Sequence, residues 1–186
     1  MLNGKKILLR PVVKNDAKYF LDWFNDPEVI QYLVMYLPMT EMAEEKWIEG
    51  LTTNRKGVDV VFTIESIQKD KVIGNCGLHN INNKDREASF GIAIGNKDFW
   101  SKGCGFESGK LLLDYGFNQL NLNRISSSAI AFNERSIKLH KKLGFSEEGI
   151  RRKSIFKNGQ FWDKINFGLL RKEWMSMGKK SKSKIS

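Results

Sequence analysis

Hydrophobic and polar residues alternate in several short segments of this chain, a pattern typical of β-strands in a half-buried sheet. The alternation is clearest at residues 87–94, where every even position is apolar. Two strands are predicted to flank Asn158-Gly159, because this dipeptide favours the two-residue turn of a β-hairpin. With the remaining apolar segments the sequence predicts about seven strands, the others lying at 7–13, 58–67, 72–78 and 125–132.

Apolar residues at helical spacing predict about four helices between these strands, at 16–24, 41–51, 106–120 and 134–143. Gly144 is expected to end the last of them, because glycine adopts the left-handed conformation found after helices. The resulting order is β-α-α-β-β-β-α-β-α-β-β. It predicts one mixed α/β (α+β) domain.

Composition narrows the possible classes of protein. Of the 186 residues, 41% are hydrophobic and 11% aromatic, which excludes an intrinsically disordered chain. No apolar run approaches the roughly 20 residues of a membrane-spanning helix, and no signal peptide is recognisable behind the first lysines. Two cysteines and two histidines are too few for a disulfide framework or a zinc site, so we expect a cytoplasmic protein without a metal.

The chain carries a formal net charge of +10, from 31 Lys and Arg against 21 Asp and Glu. This excess favours a polyanionic partner, either nucleic acid, an acidic surface or a phosphorylated cofactor. Four of the lysines lie in residues 178–186, which we predict to be a disordered tail after a domain at 1–177. No RNA-recognition or helix-turn-helix pattern accompanies the charge, so a nucleic-acid-binding module remains only an alternative.

A glycine-containing loop separates the strand at 87–94 from the following helix. In this loop Gly103 and Gly105 permit a tight turn that brings backbone N–H groups close to a ligand, and Lys102 adds positive charge. A helix N-terminus attracts anions, so the loop predicts a site for a phosphate or pyrophosphate, with a purely structural turn as the alternative. Ser108 stands where a Rossmann motif needs glycine, and Leu111 where a P-loop needs Ser or Thr, which excludes both nucleotide motifs.

The loop and the helix at 134–143 together resemble motifs A and B of the GCN5-related N-acetyltransferase (GNAT) superfamily. The matching positions are Gly103, Gly105, Asn133, Ser136, Gly144 and Phe145, whereas Trp100 replaces the usual Arg or Gln and His140 the usual tyrosine. The segment 158–163 resembles a hairpin of the RimJ/RimL-type ribosomal-protein N-acetyltransferases and of the spermidine N-acetyltransferases. The resemblance extends over residues 5–175, nearly the whole chain.

The resemblance implies a largely antiparallel sheet whose fourth and fifth predicted strands splay apart around acetyl-CoA. The pyrophosphate would rest on backbone amides of residues 102–106, and the pantetheine arm along Ile92, Ala93 and Ile94. Backbone N–H groups of residues 92–94 would also stabilise the oxyanion. The cofactor-binding residues implied are Ile92, Ala93, Ile94, Phe99, Trp100, Lys102, Gly103, Cys104, Gly105, Phe106, Asn133, Ser136, His140 and Lys142.

The resemblance also implies candidate catalytic residues. His140 stands where the family places its thiolate-protonating tyrosine, and an imidazolium could donate that proton; packing in the core is the alternative. Ser136 matches a serine near the sulfur in some ribosomal-type members. Ser89 stands where many members carry a glutamate base, so Glu87, two residues earlier on the same strand face, is a candidate base or simply an exposed carboxylate.

The function implied is acetyl transfer from acetyl-CoA to a primary amine by direct attack in a ternary complex. A protein N-terminus or a small-molecule amine is preferred as the acceptor, because a site without a strong base favours an α-amine over a more basic one. A polyamine such as spermidine and an inactive acetyl-CoA-binding protein are the alternatives. The acceptor pocket is expected between residues 23–47 and 156–162 of a monomer or homodimer.

Overall fold

The computed structural model describes residues 1–53 and 59–182, which form one mixed sheet flanked by helices on both faces. Its eight strands are β1 (Leu2–Asn3), β2 (Ile7–Pro11), β3 (Val60–Ser66), β4 (Lys71–Asn82), β5 (Glu87–Ile94), β6 (Arg124–Ile130), β7 (Ser146–Lys157) and β8 (Gln160–Leu170). The helices are α1 (Ala17–Phe24), α2 (Pro27–Ile30), α3 (Glu41–Thr53), α4 (Cys104–Asn118), α5 (Glu134–Leu143) and α6 (Arg171–Lys182).

The strands lie in the order β1-β2-β3-β4-β5-β6-β8-β7. Every neighbouring pair is antiparallel except β5 and β6, which run parallel. The predicted mixed, largely antiparallel sheet is therefore confirmed. The hairpin turn is confirmed too, since Asn158 and Gly159 have φ angles of 52° and 78°.

Several elements differ from the sequence prediction. β1, α2 and α6 have no counterpart in it, and β4 continues to Asn82 because Asn80, with φ 53°, lets the strand resume after an irregularity. α6 begins directly after β8, and its Trp174 packs against Phe117. The helix continues to Lys182, so the chain is helical at residue 178, where the disordered tail was predicted to begin. The rest of that predicted tail, residues 183–186, lies outside the described residues. The same holds for position 58, the first residue of the predicted strand 58–67.

Two hydrophobic clusters pack the helices of the described residues. The larger one joins α4 and α5 to one sheet face through fully buried side chains such as Phe117, Phe167 and Ile125. The smaller one, around Phe20 and Ile48, joins α1 to α3. Along the part of the chain that the structure describes, no helix is long and apolar enough to cross a membrane.

Candidate active site

The strands β5 and β6 separate after a short pairing, and this divergence creates the site. Their parallel register runs only from Glu87 opposite Arg124 to Ser89 opposite Ser126, although β5 continues to Ile94 and β6 to Ile130. A cavity of about 850 Å³ occupies the gap. Side chains alternate between the two faces of a strand, and consecutive residues of β5 and β6 line this cavity, so it borders both faces of the sheet.

The N-terminus of α4 lies at one end of the cavity. Gly103 precedes the helix with φ 86°, a left-handed conformation that glycine adopts without strain. Gly103, Gly105 and Phe106 all line the cavity. The first N–H groups of a helix have no partner within the helix, and together with the helix dipole they favour an anion here by about 0.3–1 kcal/mol per contact.

Lysine side chains surround this helix N-terminus. Lys6 on the segment before β2 donates a hydrogen bond of 3.1 Å to the carbonyl oxygen of Lys102. Lys142 of α5 lies 4.5 Å from the ring of Phe106, and the ammonium group of Lys102 lies 5.9 Å from the ring of Phe99. Cationic groups from three separate elements therefore add to the positive end of the helix.

The structure brings most of the predicted cofactor-binding residues to the cavity. Those lining it are Ile92, Ala93, Ile94, Phe99, Trp100, Gly103, Gly105, Phe106, Asn133, Ser136, His140 and Lys142. Lys102 lies at the turn outside this lining. The Cys104 side chain points into the core, where burial raises the pKa of its thiol, so only its backbone can serve a ligand.

Two cavity residues already have partners that the sequence did not indicate. The side-chain oxygen of Asn133 accepts the backbone N–H of Ser136 at 3.1 Å and thereby caps α5. The indole N–H of Trp100 donates to the carbonyl oxygen of Ile94 at 2.6 Å. The carbonyl of Ile94 was expected to bind the pantetheine arm. It is thus engaged by Trp100, the residue that replaces the Arg or Gln of motif A.

An aromatic and cationic cluster connects α5 with the loop after α2. The guanidinium of Arg135 lies 4.7 Å from the ring of Tyr32 and 4.1 Å from that of Trp100. Such cation–π contacts contribute about 0.5–2 kcal/mol each. Tyr32 lines the cavity together with other residues of the predicted segment 23–47, whereas none of residues 156–162 does, so the acceptor region stays a prediction.

The hairpin of β7 and β8 also holds the loop that follows α2. The buried ammonium of Lys157 donates to the carbonyl oxygens of Ile30 and Met35, at 3.0 and 2.5 Å. Burial lowers the pKa of this lysine. These two hydrogen bonds fix the loop that carries Tyr32 and Val34 against the cavity.

His140 is buried in the wall of the cavity, with 2% of its surface exposed. Its Nδ1 lies 2.7 Å from the carbonyl oxygen of Ser136, and its Nε2 lies 2.7 Å from the hydroxyl of Ser127. The ring stacks on Phe167 with centroids 4.7 Å apart. Burial lowers the pKa of His140, although the hydrogen bond to Ser136 raises it in part.

These contacts change the form of the predicted acid role. Because the neutral ring is favoured, Nδ1–H donates to the carbonyl of Ser136, and the lone pair of Nε2 shares the single Ser127 hydroxyl proton with the carbonyl oxygen of Phe90, which lies 3.0 Å from that hydroxyl. The sequence predicted an imidazolium donor, which burial disfavours. The Ser136 hydroxyl lies 3.4 Å from Nδ1 of His140, at the limit of a hydrogen bond.

Glu87 lies outside the cavity lining. It stands at the closed end of the gap, where β5 and β6 are still paired, and its side chain is exposed. Nearby, Arg124 pairs with Glu148 of β7, and this ion pair lowers the pKa of Glu148. The geometry thus gives no support to Glu87 as a base, and its role stays a prediction.

Sequence reasoning missed Lys6, Ser127 and Arg135 as residues of this site. Lys6 precedes a strand far from the loop in sequence, and no local pattern connects the two. Ser127 is one of three consecutive serines on β6, and only the register of the strands shows which of them faces His140. Among the described residues, no group of three or more His, Cys, Asp or Glu could hold a metal ion.

Comparison with known proteins agrees with this geometry. Residues 6–146 match the family model for the acetyltransferase (GNAT) domain. The uncharacterized N-acetyltransferase p20 of Bacillus licheniformis is 32% identical over 175 residues, 93% of this chain and 97% of that protein. The spermidine N(1)-acetyltransferase of Escherichia coli K12 is 28% identical over 180 residues, 95% of this chain and 92% of that protein.

A solved structure shares the fold. The spermidine N-acetyltransferase from Vibrio cholerae, in complex with CoA and spermine, superposes with a TM-score of 0.85 over 92% of this chain and 99% of that chain. The two sequences are 24% identical, so this similarity concerns the fold alone.

Proposed function

Because this chain belongs to the GNAT acetyltransferases and is an N-acetyltransferase, we propose that it transfers acetyl from acetyl-CoA to a primary amine bound on the opposite side of the sheet. One observation carries the proposal. Residues from both faces of β5 and β6 line the cavity between these strands, and the N-terminus of α4 lies at one end of it. Two substrates can therefore meet inside it from opposite sides.

The residues at the first end fit CoA by their chemistry. The left-handed turn at Gly103 exposes the first amides of α4, and Lys6 and Lys142 lie beside them. Phosphate groups bind favourably at such a helix N-terminus. The half-buried β5 segment at residues 92–94 offers an extended backbone to the pantetheine arm, with Trp100 holding its end. When bound, acetyl-CoA supplies the acetyl group as an activated thioester.

His140 and Ser127 are proposed to protonate the departing sulfur together. The Ser127 hydroxyl lines the cavity and is within 2.7 Å of the buried His140. A hydroxyl that faces the cavity can accept the proton that the attacking amine loses and pass its own proton to the departing sulfur, so the serine is neutral before and after the step. Hence Ser127 is the immediate donor, and His140 orients its hydroxyl.

A polyamine is the second candidate acceptor. Its support is the similarity over 95% of this chain to the spermidine N(1)-acetyltransferase of E. coli. The charges of the cavity lining argue against a polyamine. The wall of the cavity carries cations such as Arg124 and Lys164 and a single carboxylate, Glu148. A polycation is therefore a poorer match to this wall than a singly charged amine.

Calorimetry with CoA and a thiol-release assay test the proposal. We expect micromolar CoA binding, and turnover with at least one amine among spermidine, aminoglycosides and peptides that start with Ala or Ser. A higher kcat/KM for the peptides supports a protein N-terminus, and a higher one for spermidine supports the polyamine. CoA binding without turnover of any amine would leave only the inactive acetyl-CoA-binding protein, and no CoA binding would reject both.

A further inference from the structure

His79 and Asp59 form a pair on the sheet face opposite to His140. The Nδ1 atom of His79, on β4, lies 3.1 Å from the Asp59 carboxylate. The other oxygen of Asp59 accepts the backbone N–H of Asn80 at 2.9 Å. The carboxylate is thus fixed from two sides, and a neutral His79 ring that donates Nδ1–H to it leaves the lone pair of Nε2 free.

His79 is not itself among the residues that line the cavity, but its ring lies against a strand residue that is. His79 is directly opposite Ser89 in the register of β4 and β5, and both Ser89 and Gly91 line the cavity. A methyl group at Gly91 would lie 3.3 Å from Nε2 of His79, so the ring covers this glycine. Phe90, between them, points to the other face and contacts His140. The two histidines therefore lie on opposite faces of the sheet, one on each side of β5.

The local backbone is built to hold this ring. The pairing of β4 with β5 becomes irregular just after His79, and Asn80 adopts a positive φ of 53°. Such irregularities re-aim side chains and are common beside active sites. About a third of each side chain remains exposed, 34% for His79 and 35% for Asp59, so an acceptor can reach the ring.

We infer that Nε2 of His79 is the general base that removes a proton from the acceptor ammonium group, with Asp59 as its positioning residue. The inference rests on the proposed amine acetylation. It also accounts for Ser89, which stands where many members of the family are expected to carry a glutamate base. Here the cross-strand neighbour of Ser89, His79, supplies the basic group instead.

The ammonium R–NH₃⁺ gives one proton to Nε2 of His79, and the nitrogen lone pair then forms the N–C bond to the acetyl carbonyl. The C–S bond breaks, its electron pair leaves with sulfur, and the second amine proton reaches that sulfur through the Ser127 hydroxyl and gives the thiol. His79 finally releases its proton to solvent, which gives R–NH–COCH₃, CoA-SH and H⁺.

The test measures steady-state rates of His79→Gln and His79→Asn with the best acceptor of the amine panel, at pH 7 and pH 9.5. Both variants keep a polar side chain, and the amide of asparagine can still reach Asp59. We expect kcat to fall about 100-fold at pH 7 with KM changed less than about threefold, because general bases contribute roughly 100- to 10,000-fold. At pH 9.5 a larger share of the amine is already neutral, so the loss should shrink to about 10-fold or less.

Asp59→Asn tests the positioning role, with Asp85→Asn as the matched control. Asp85 accepts a 2.7 Å hydrogen bond from Asn82 in the exposed turn before β5 and has no contact with the cavity. We expect Asp59→Asn to lower kcat about 10-fold, and long-range ¹H–¹⁵N spectra to show the proton of the neutral His79 ring moving from Nδ1 toward Nε2. Asp85→Asn should change neither.

The outcomes separate this inference from the function it depends on. Variants of His79 with full kcat, or with the same loss at both pH values, would overturn the inference while the unaltered protein still acetylates amines. Unaltered tautomers in Asp59→Asn would remove the positioning role. If the unaltered protein binds CoA in calorimetry but acetylates none of the amines, the proposed function fails, and the base role fails with it.

Discussion

At the scale of single residues, burial decides how His140 can act. Its ring is enclosed by Phe90, Phe145 and Phe167, so its uncharged form is favoured and its Nε2 accepts a hydrogen bond. A tyrosine at this place would present its own hydroxyl to the cavity. Here the hydroxyl comes from Ser127 on the neighbouring strand.

Replacement of His140 by Phe tests this arrangement without emptying the core. The Phe ring keeps the stacking on Phe167 and removes both hydrogen bonds, so we expect a kcat loss of about 10-fold or more and a stability loss of about 1 kcal/mol. Ser127→Ala should show a similar kcat loss with less change in stability. CoA affinity by calorimetry should stay within about twofold for both. A normal kcat in either variant would contradict the shared role.

Glu44 of α3 is a buried carboxyl whose charge opposes folding. Glu44 is 1% exposed, and its Oε1 has no hydrogen-bond partner within the described residues. Burial raises the pKa of this carboxyl to about 7. An unfolded glutamate titrates near 4.3, so the folded state holds the proton more tightly. The protein therefore loses stability as the pH rises from about 4 to 7, by up to about 1.4 kcal/mol for each unit of pKa shift.

Glu44→Gln is expected to remove this loss. At pH 8 its free energy of unfolding should exceed that of the unaltered protein by about 1–3 kcal/mol, and at pH 5 the two should be nearly equal. Urea denaturation at both pH values measures the difference. Glu41→Gln, an exposed position on the same helix, is the control and should show no such pH dependence. An equal difference at both pH values would contradict the assignment.

At the scale of elements, the turn into α4 is the part on which the proposed cofactor binding depends. Gly103 takes a φ of 86°, where a β-carbon costs about 1–2 kcal/mol. Gly103→Ala should therefore shift the first amides of the helix, and we expect CoA to bind about 10-fold more weakly in calorimetry. This loss should appear in Kd rather than in the thermal stability alone.

Gly159→Ala is the matched control for that substitution. Gly159 has a φ of 78° in the β7–β8 hairpin, with no atom within 4 Å of an added β-carbon. Its replacement carries a similar backbone cost but lies far from α4. Hence Tm should fall in both variants, and equal CoA affinities would show that the turn at Gly103 does not hold the cofactor.

At the scale of the whole molecule, the net charge of +10 acts through its distribution. Lys6, Lys102 and Lys142 converge on one helix N-terminus. The charge that suggested nucleic acid is therefore better matched by the phosphates of a cofactor.

Salt should weaken CoA binding for this reason. Between about 0.05 and 0.5 M NaCl we expect the Kd to rise about 10-fold, because the interaction of exposed charges is screened. The double variant Lys6→Met/Lys142→Met should bind more weakly at low salt and respond less to added salt. Lys172→Met, exposed on α6, is the charge-matched control. An unchanged salt response in the double variant would show that these lysines do not face the phosphates.

The sequence alone determined the parts of this protein that depend on a few adjacent residues. β5 and α5 have the bounds that periodicity and Gly144 predicted, and Gly103 and Asn158-Gly159 form the turns expected of them. Local backbone preference fixes such features, because each depends on φ angles and hydrogen bonds within one turn. Hence the class of fold and the turn at the N-terminus of α4 were predictable.

The tertiary structure alone decided which distant residues meet. Strand register places His79 opposite Ser89 and Ser127 beside His140, and a shift of one residue would turn each side chain to the other face. No short pattern in the chain encodes that register. Burial likewise sets the charge of His140, because a pKa depends on all the groups packed around the ring and not on its neighbours in sequence.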